Sequence, residues 1–592
     1  MKQIFLLVCT LFVGICFSCT NTGAYEDGFV RYEPFKVSDL DKQILLKNIS
    51  EMDKLYDPKG KMITQELKGW NYHTDAESGT FHDVRASFYY AVALLDCGMK
   101  EYEQRAFDVI EKTISLQDTI STSRSCGVWP YFEEEPLATK KSPIDYNWAD
   151  FNAAALLDIY MGHKDKLPAD LLKKIENSIV LAAHAVQRRN CGPGYTNIAI
   201  MGTYITYVTS HLFNIPEMQE YAVKRLKTFY DYTQEKNGFS EYNSPTYSIV
   251  AIDELNRMQR HIVEPEAKKM INELYEKCWD MIARHYHQKT AQWAGPHSRS
   301  YSTLIDPSFY GILKEASQGK IDLGYEPTRS DVKMKHYIPE RLLPYFLTPE
   351  YPRTEVDIFE KSEPQIIGTT YLTDDYVISS ASRSSMWNQR RPLTAYWGEL
   401  NAAHYLQVRL LHDDYDFSTA SIFTQQKENC VLAAINWGTN GGDKHISIDR
   451  IRDGQFKAKD LRLRFEFGNC KNLNVNLPTG KNVAFTIDAC GVKAGICLLE
   501  ARFDNLKGYW EKGGDGENSW IDYVIYSGDE KEFDLTQVSQ AIYAFALSLG
   551  DISGEYSVDN ATAVISGNLL NATWGELSIQ APVRPDKNPS NL

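Results

Sequence analysis

Apolar residues recur every three to four positions through the first half of the chain, a spacing that places them on one face of a helix. In residues 83–95, for example, Val84, Phe88, Ala91 and Leu95 share a face. The same period predicts helices over residues 150–160, 172–188, 198–213, 218–235, 249–255 and 264–285. Proline and glycine breakers separate these segments, which is typical of antiparallel helix pairs in bundles and α/α toroids. We therefore predict a helical region over about residues 38–320.

The pattern changes near residue 340, where a proline-rich stretch over residues 337–356 reads as a linker. Short apolar runs separated by Gly, Asn and Asp turns follow it, and such runs predict an antiparallel β domain. The predicted strands cover residues 370–379, 394–397, 419–424, 431–437, 461–467, 483–487, 496–502, 520–526 and 562–565. The expected fold is multidomain α then β: an α/α toroid over residues 19–345, followed by an antiparallel β-sheet domain over residues 346–592.

The N-terminal segment is typical of a bacterial lipoprotein signal. Lys2 precedes an apolar run over residues 4–17, which is too short to span a bilayer comfortably, and Ser18 precedes Cys19. Cys16 stands where Leu is usual. We predict a signal peptide over residues 1–18, lipid attachment at Cys19 and an outer-membrane lipoprotein of the cell envelope, on the periplasmic face or the cell surface. The alternative is an ordinary cleaved signal with an incidental cysteine.

Charge and composition narrow the function classes. The formal net charge of −15 argues against broad nucleic-acid binding, so an acidic ligand must meet a local basic pocket. Aromatic residues make up 12% of the chain, which suits a sugar-binding surface. The chain after the signal has no C-x-x-C motif, and no G-x-S-x-G or H-E-x-x-H motif occurs anywhere, so we predict neither a metal nor a cofactor. One or two disulfides are possible, with pairing that the sequence leaves open.

Two segments place candidate ligand-binding side chains near predicted helix starts. In residues 69–85, His82 lies at a predicted helix start with Arg85 about one turn on, and both could face a cleft. A solvated first helical turn is the simpler interpretation. In residues 188–202, a Gly-Pro-Gly turn delivers Asn197 to a helix start. Its amide could enter a cavity or could simply cap the helix.

The third segment, NGFSEYNSPTY over residues 237–247, crowds Tyr242, Asn243 and Tyr247 before an apolar helix. Proline in a first helical turn is ordinary, but that leaves the two tyrosines and the asparagine unexplained. We predict that these side chains belong to a site.

The fourth segment, WAGPHSRSY over residues 293–301, alternates His297, Arg299 and Tyr301, so an extended backbone would project all three to one side. An imidazole, a cation and a phenol on one face are what proton abstraction beside a carboxylate needs. A surface loop with ordinary hydrogen bonds is the alternative. In the β domain, Arg390 and its neighbour Trp387 could wall the same cleft, although a charge ladder on a β face would explain such residues too.

The predicted signal, helical toroid and β domain together resemble the α/α-toroid polysaccharide lyases, the heparinase and alginate lyase group. Residues 188–202, 237–247 and 293–301 carry the likeness. Within that group the chain looks most similar to polysaccharide lyase family 27, the L-rhamnose-α-1,4-D-glucuronate lyases of gut Bacteroides, which remove rhamnose caps from glucuronate in arabinogalactan. The resemblance implies an acidic polysaccharide or oligosaccharide partner. Asn243 stands near where many members place a His, so His297 is the candidate to supply the imidazole.

The resemblance implies β-elimination, in which a base removes the C5 proton of a uronate and an acid protonates the departing O4. A tyrosine can serve both steps. We predict Tyr301 first and Tyr247 or Tyr242 second for this role, with His297 as an alternative base. Neutralisation of the uronate carboxylate falls to a guanidinium and an amide: Arg299 with Asn243 or Asn197.

Two other functions stay open. The first is a glycoside hydrolase on the same toroid, with paired carboxylates drawn from Asp83, Asp150 and Glu241. The second is a surface lipoprotein that binds glycan through its aromatic residues without catalysis. An unsaturated uronate product would separate a lyase from both.

Overall fold

The structure of the chain is a computed structural model that describes residues 25–26, 28–32, 34–69, 73–327, 332–362, 364–442, 451–550 and 556–587. The predicted signal peptide and Cys19 lie outside the described residues, and their assignment stays a prediction. Among the helices in these ranges, none combines the length and the apolar character that a membrane crossing requires.

The N-terminal half is a two-layered helical toroid. Helices α2, α4, α6 and α8 contact one another in that order, and each also packs against the helix that follows it, which lies in an outer layer. The bounds are α1 Asp39–Asp53, α2 Val84–Asp96, α3 Lys100–Ile114, α4 Asn147–His163, α5 Ala169–Arg189, α6 Thr196–Leu212, α7 Pro216–Lys236, α8 Tyr247–His261, α9 Pro265–His285, α10 Ser308–Ala316 and α11 Leu343–Leu347.

The sequence explains which helices lie inside. Helix α6 is apolar or weakly polar all round, and its residues 196–210 are all buried. Helix α7 buries one stripe, which includes Met218, Ala222, Leu226 and Phe229, and turns its charged face to solvent. A helix without a polar face needs neighbours on every side, whereas a striped helix needs a neighbour on one.

The inner helices all begin at the same end of the toroid. The Val84 amide at the start of α2 donates to Tyr131 O at 3.1 Å. Asn147 at the start of α4 donates through Nδ2 to the Tyr195 hydroxyl at 3.2 Å. Thr196 at the start of α6 accepts from the Glu241 amide at 3.3 Å, just before α8. We call this the loop end; residues 117–146, 190–195 and 237–246 form it.

The C-terminal half consists of stacked antiparallel sheets. In the described residues a nine-stranded sheet has the order β21-β22-β17-β13-β12-β10-β9-β8, with β14 beside β13, and a seven-stranded sheet has the order β11-β15-β16-β23-β20-β19-β18. One apolar core fills the space between these two sheets, and a second lies between the seven-stranded sheet and the sheet β24-β25-β26. A disulfide joins Cys470 and Cys490.

The strand bounds are β1 Tyr25–Glu26, β2 Arg31–Tyr32, β3 Tyr56–Asp57, β4 Met62–Leu67, β5 Gly79–Asp83, β6 Tyr286–His287, β7 Gln292–Trp293, β8 Arg353–Glu360, β9 Ile366–Leu372, β10 Tyr376–Ala381, β11 Arg383–Ser385, β12 Leu393–Trp397, β13 His404–His412, β14 Tyr415–Asp416, β15 Ala420–Lys427, β16 Cys430–Trp437, β17 Gln455–Gly468, β18 Leu473–Asn474, β19 Phe485–Ala489, β20 Val492–Phe503, β21 Tyr509–Gly514, β22 Ser519–Asp534, β23 Ala541–Leu549, β24 Thr562–Ser566, β25 Leu569–Trp574 and β26 Leu577–Pro582.

The predicted fold class, a helical toroid followed by antiparallel sheets, is confirmed. Two local predictions were wrong. The strand predicted over residues 370–379 is a hairpin of β9 and β10, because the Thr373 hydroxyl accepts from the Asp375 and Tyr376 amides in a turn. The helical region also contains the small sheet β3-β4-β5. The predicted linker contains helix α11 and buries Phe346. The division at residues 345 and 346 stays a prediction.

The two halves meet along residues 294–300. Ala294 packs in a small apolar cluster with Leu372, Val377 and Tyr396 of the nine-stranded sheet. The Thr370 hydroxyl donates to Gly295 O at 2.6 Å. This contact fixes the backbone from which Arg299 and Tyr301 project.

Candidate active site

The segment that carries Arg299 and Tyr301 is held against the β domain by backbone pairing. The amides and carbonyls of His297 and Arg391 exchange two hydrogen bonds, of 3.1 and 2.9 Å. The Ser300 amide donates to Gln389 O at 2.7 Å. Because successive side chains of an extended segment alternate, this pairing sends Arg299 to the opposite side from Ser300.

Ser244 ties this segment to the start of α8. Its hydroxyl accepts from the Tyr247 amide at 3.1 Å and donates to Arg299 O at 2.7 Å. Pro245 follows it in a turn where a missing amide hydrogen costs nothing. The sequence Ser-Pro-Thr-Tyr therefore places the Tyr247 ring beside the Arg299 side chain.

Three side chains converge at this point, and we call them the tyrosine–arginine cluster: Tyr247, Arg299 and Tyr301. The two hydroxyls lie 2.7 Å apart. Arg299 Nη2 donates to the Tyr247 hydroxyl at 3.1 Å and to the Tyr301 hydroxyl at 3.2 Å. One guanidinium thus serves two phenols that also bond to each other.

Aromatic rings hold the guanidinium in place. Its central carbon lies 4.9 Å from the ring centroid of Tyr247 and 4.9 Å from that of Trp387 in the β domain. Stacking between two rings fixes the plane of a guanidinium and leaves its edge for ligands. Tyr301 is 57% exposed, so the cluster is reached from solvent.

Glu241 lies beside Arg299 of the cluster on the toroid side, and Asn197 lies beside Glu241. Both are buried, and the backbone N–H of Asn197 is directed at the Glu241 carboxylate. Within the described chain, Asn197 Oδ1 and Glu241 Oε2 have no hydrogen-bond partner. Unpaired buried oxygens are costly, so these two atoms mark a place where a polar ligand would be favoured.

Burial governs the titration of the site. It raises the pKa of the Glu241 carboxyl to about 7, against the lowering effect of Arg299 and of the Asn197 backbone N–H. Burial and the hydrogen bond to Tyr301 raise the pKa of the Tyr247 phenol well above its ordinary value. At neutral pH Tyr247 therefore keeps its proton and Glu241 exchanges one readily.

Two predicted site residues turn away from the cleft. Tyr242 is buried, stacks on Phe359 at 4.1 Å and donates to Asp357 Oδ2 at 3.0 Å. Asn243 is also buried; its Nδ2 donates to Ala294 O at 2.8 Å and to Pro296 O at 3.1 Å, and its Oδ1 accepts from Trp293 Nε1. Because these groups are used within the protein, we leave both residues out of the proposed chemistry.

His297 does not line an open site together with Arg299 and Tyr301. The side chain is 3% exposed, and its Nδ1 lies 2.5 Å from Asn243 O. Burial lowers the pKa of the His297 imidazole to about 3, so it is neutral at physiological pH. Arg299 and Tyr301 of the alternating segment meet at the cluster, but domain packing covers the imidazole.

His82 and Arg85 separate in the structure. His82 lies on β5 rather than at a helix start, and its ring nitrogens bond to Glu134 Oε1 at 2.6 Å and Asp57 Oδ2 at 3.1 Å. The Arg85 guanidinium stacks on Trp148 and Phe151, at 5.2 and 4.9 Å from their ring centroids. These two residues do not form one binding group.

Arg390 lies in the turn that carries Trp387, with its amide donating to Trp387 O at 2.8 Å. This supports the predicted position of the turn beside the cleft. Its role in substrate binding stays a prediction.

The three carboxylates considered for hydrolysis have different surroundings. Asp83 caps α2 by accepting from the Ala86 amide at 2.7 Å. Asp150 is fully buried, 3.7 Å from Arg189, and burial raises the pKa of its carboxyl to about 7. Of these three, Glu241 alone has Arg299 of the cluster among the groups that shift its pKa. No second carboxylate is placed to complete a pair with Glu241 at the cluster among the described contacts.

Sequence reasoning undervalued two residues. Glu241 was weighed only as a hydrolase carboxylate, and its place beside Arg299 had no local signal. Ser244 was named in its motif without a role, although a Ser-Pro pair before a helix is a known way to tie an amide at its start. In the described part of the chain, no group of three or more His, Cys, Asp and Glu residues is arranged to hold a metal ion.

Comparison with known families adds one match. Residues 42–336, most of the helical half, match the model of a domain of unknown function, DUF8769. No curated protein matches the chain.

Several solved structures are similar in outline. A heparan sulfate lyase HepC mutant from Pedobacter heparinus is 9% identical, with 93% of this chain and 90% of that chain covered and a TM-score of 0.41. Chondroitin AC lyase from Streptomyces coelicolor A3 is 8% identical, with 92% and 85% covered and a TM-score of 0.48. A heparinase III, the BT4657 gene product, is 10% identical, with 93% and 91% covered and a TM-score of 0.41. At such values the chemistry of the cleft has to come from the side chains of this chain.

Proposed function

We propose that the protein is a polysaccharide lyase that cleaves a uronate-bearing glycan by β-elimination. The observation that carries the proposal is the tyrosine–arginine cluster, in which one guanidinium bonds to two phenol hydroxyls that lie 2.7 Å apart. Elimination needs a base, an acid and a cation beside a carboxylate, and these three side chains supply them.

The C5 proton of a uronate becomes removable when the carboxylate beside it is neutralised. The free edge of the Arg299 guanidinium is suited to that carboxylate, since a charge-assisted pair in a partly buried site is strong. Asn197 and the protonated form of Glu241 add two neutral polar groups next to it. Stabilising the enolate-like intermediate in this way is worth more than it would be in water.

The proton steps follow from the difference between the two tyrosines. Tyr301 is the more exposed, and as a phenolate it would accept hydrogen bonds from both Tyr247 and Arg299, so Tyr301 is assigned as base. Tyr247 keeps its proton and is assigned as acid. The base takes the C5 proton, the C4–O4 bond breaks, a C4–C5 double bond forms, and Tyr247 protonates O4.

The hydrogen bond between the hydroxyls then resets the enzyme. After one turnover Tyr301 holds a proton and Tyr247 lacks one. Transfer of a proton from Tyr301 to Tyr247 across 2.7 Å restores the starting state without proton exchange with solvent. A single tyrosine that served both steps would need no such transfer, so the return path is required only when the two roles are divided.

The finer assignment rests on the sequence resemblance. We assign the substrate as rhamnose-capped glucuronate of arabinogalactan, and the location as the cell envelope through lipid on Cys19. The hydrolase alternative gains no support from the site, because it would need a second carboxylate facing Glu241.

The experiment is to incubate the protein with rhamnose-capped arabinogalactan and follow the ultraviolet absorbance of an unsaturated uronate. The variant Tyr301→Phe should lower the initial rate by about 10²–10⁴-fold, the usual contribution of a general base. Tyr509→Phe is the matched control, because Tyr509 is exposed on β21 in the β domain.

Reducing ends released without new absorbance would identify a hydrolase and refute the lyase. Full activity in Tyr301→Phe would refute the assigned base. Absorbance with chondroitin or heparan sulfate but not with arabinogalactan would keep the lyase and change its substrate.

A further inference from the structure

A polar pocket of about 420 Å³ opens at the loop end and does not include the tyrosine–arginine cluster. Its walls are the C-terminal turns of α5, the loop after α3 and the residue before α4. Arginines and hydroxyls line it: Arg124, Arg188, Arg189, Ser121, Thr122 and Ser123. We call it the arginine pocket.

The three arginines are not equally engaged. Arg188 donates to Cys126 O, and Arg189 donates to Asn147 Oδ1 at 2.5 Å and lies 3.7 Å from Asp150. Arg124 is exposed and has no hydrogen-bond or ion-pair partner within the described residues. Two arginines are thus fixed by the fold, and the third is available.

The acids near the pocket have other partners or carry reduced charge, and Asp145, next to the lining residue Tyr146, lies 3.6 Å from His73 Nδ1. Asp118 accepts from the Ser125 hydroxyl at 2.7 Å and from the Ile120 amide at 3.0 Å, and these bonds turn it to the loop. Asp150 lies beneath Arg189 and is fully buried; burial raises the pKa of its carboxyl to about 7, so it carries only part of a charge. In a chain with a net charge of −15, a pocket of three guanidiniums is a local exception.

A chain of contacts joins the arginine pocket to the proposed catalytic cluster. Arg189 holds Asn147, and Asn147 donates to the Tyr195 hydroxyl at 3.2 Å. The next residue, Thr196, accepts from the Glu241 amide. Glu241 in turn lies beside Arg299. The two sites are therefore on one continuous rim of the toroid.

We infer that the arginine pocket is a distal subsite that binds a second acidic group of the same glycan chain. The inference rests on the proposed lyase function, because that function places an acidic glycan at this rim. Arginine forks suit carboxylate and sulfate ester equally, and the serine and threonine hydroxyls can donate to either. A glycan that carries a second acidic residue beyond the uronate at the cleavage site should then bind more tightly than one that carries only that uronate.

Direct binding tests this without relying on turnover. In a Tyr247→Phe/Tyr301→Phe background, calorimetry would measure the affinity for a hyaluronan hexasaccharide, which has carboxylates only, and for a chondroitin sulfate hexasaccharide. Arg124→Glu should weaken binding of at least one probe by roughly tenfold at low salt, and the difference should shrink above about 0.5 M salt, where the Debye length is a few ångströms. Arg452→Glu, an exposed arginine of the β domain, is the control for charge reversal.

The outcomes separate the two proposals. A loss with both probes identifies carboxylate recognition, and a loss with chondroitin sulfate alone identifies sulfate recognition. Equal affinities in Arg124→Glu and Arg452→Glu overturn the subsite, and so does a failure of both probes to bind the parent. In the wild-type background, Arg124→Glu should raise KM for long polymer and leave kcat unchanged. Binding through Arg124 in a protein that yields no unsaturated product would refute the lyase and leave the subsite standing.

Discussion

Two neighbouring constellations use the same residue types and differ in what they can do. Tyr247, Arg299 and Tyr301 bond to one another at a surface that solvent reaches. Tyr242, with Asp357 as its main partner, lies in a closed network that joins the toroid to β8. Five positions of sequence separate the two tyrosines that begin these networks.

In the closed network every partner is supplied by the fold. Arg284 donates to both Asp357 oxygens, at 2.8 and 3.2 Å. These bonds offset the free energy that burial of the Asp357 carboxylate costs. Burial lowers the pKa of the His285 imidazole to about 4, so that ring stays neutral beside the carboxylate. A network whose bonds are all internal stabilises a domain contact, whereas one with a free edge can bind.

Removing one hydroxyl from each constellation should give the largest difference in activity and stability between two variants. Tyr247→Phe removes the assigned acid and should lower kcat by about 10²–10⁴-fold with little change in stability. Tyr242→Phe removes a donor to buried Asp357 and should lower the free energy of unfolding by about 1–3 kcal/mol while kcat is kept. Rate assays and urea unfolding of both variants check this. A fall in kcat for Tyr242→Phe without destabilisation would contradict the assignment of Tyr242 to a structural network.

The closed network should fail when its carboxylate is removed. Asp357→Asn leaves Arg284 without its buried counter-charge and should destabilise the protein by about 3–5 kcal/mol. Asp375→Asn, whose pair with Lys289 is on the surface, should shift the urea midpoint by no more than the error of the measurement. Equal effects of the two variants would show that Asp357 does not hold the domains together.

The pH dependence of stability should show the burial of the Glu241 carboxyl. Its pKa is raised to about 7 in the folded protein, from an ordinary value of 4.5, so the folded state holds this proton to higher pH than the unfolded state. The stabilisation is full below pH 4.5 and is lost as the pH rises through about 7. Glu241→Gln should lack this loss, which amounts to about 3 kcal/mol. Unfolding curves at pH 5 and 8 measure it; Asp150 contributes equally to both proteins. Parallel pH profiles would contradict the burial of Glu241.

His82 should give the smallest effect. Burial lowers the pKa of its imidazole, but the hydrogen bonds to Glu134 and Asp57 outweigh burial and leave the pKa raised, so its stabilisation is lost as the pH rises through that value. His82→Gln should cost about 0–1 kcal/mol and leave kcat and KM unchanged. A large rise in KM would show that His82 contacts the substrate in spite of its position on β5.

The sequence was sufficient for elements whose pattern reflects burial. Helix α9 was predicted over residues 264–285 and is observed as Pro265–His285, because its apolar stripe continues to the end of the helix. Sheet β3-β4-β5 was missed because its strands are short and border solvent, so they lack a clear alternation.

The candidate site was predictable only in part. Arg299 and Tyr301 follow from the alternation of an extended segment, and Tyr247 follows from the Ser-Pro turn before α8. His297 obeys the same alternation, but its burial depends on pairing with Arg391, nearly a hundred positions away. Glu241 required the packing of α6 against α8 to become a neighbour of Arg299. Contacts between distant elements leave no local pattern to read.

The common direction of the inner helices has an electrostatic consequence. Each of α2, α4, α6 and α8 begins at the loop end, whereas the outer helices α3, α5 and α7 end there, so partial positive charges of the inner layer lie beside partial negative charges of the outer layer. Backbone amides at such ends attract anions without any basic side chain. The rest of a chain with a net charge of −15 repels them. The toroid therefore favours an acidic polymer at the amide ends of the inner layer, while Arg188 and Arg189 at the end of α5 oppose the negative charge of that outer-helix terminus.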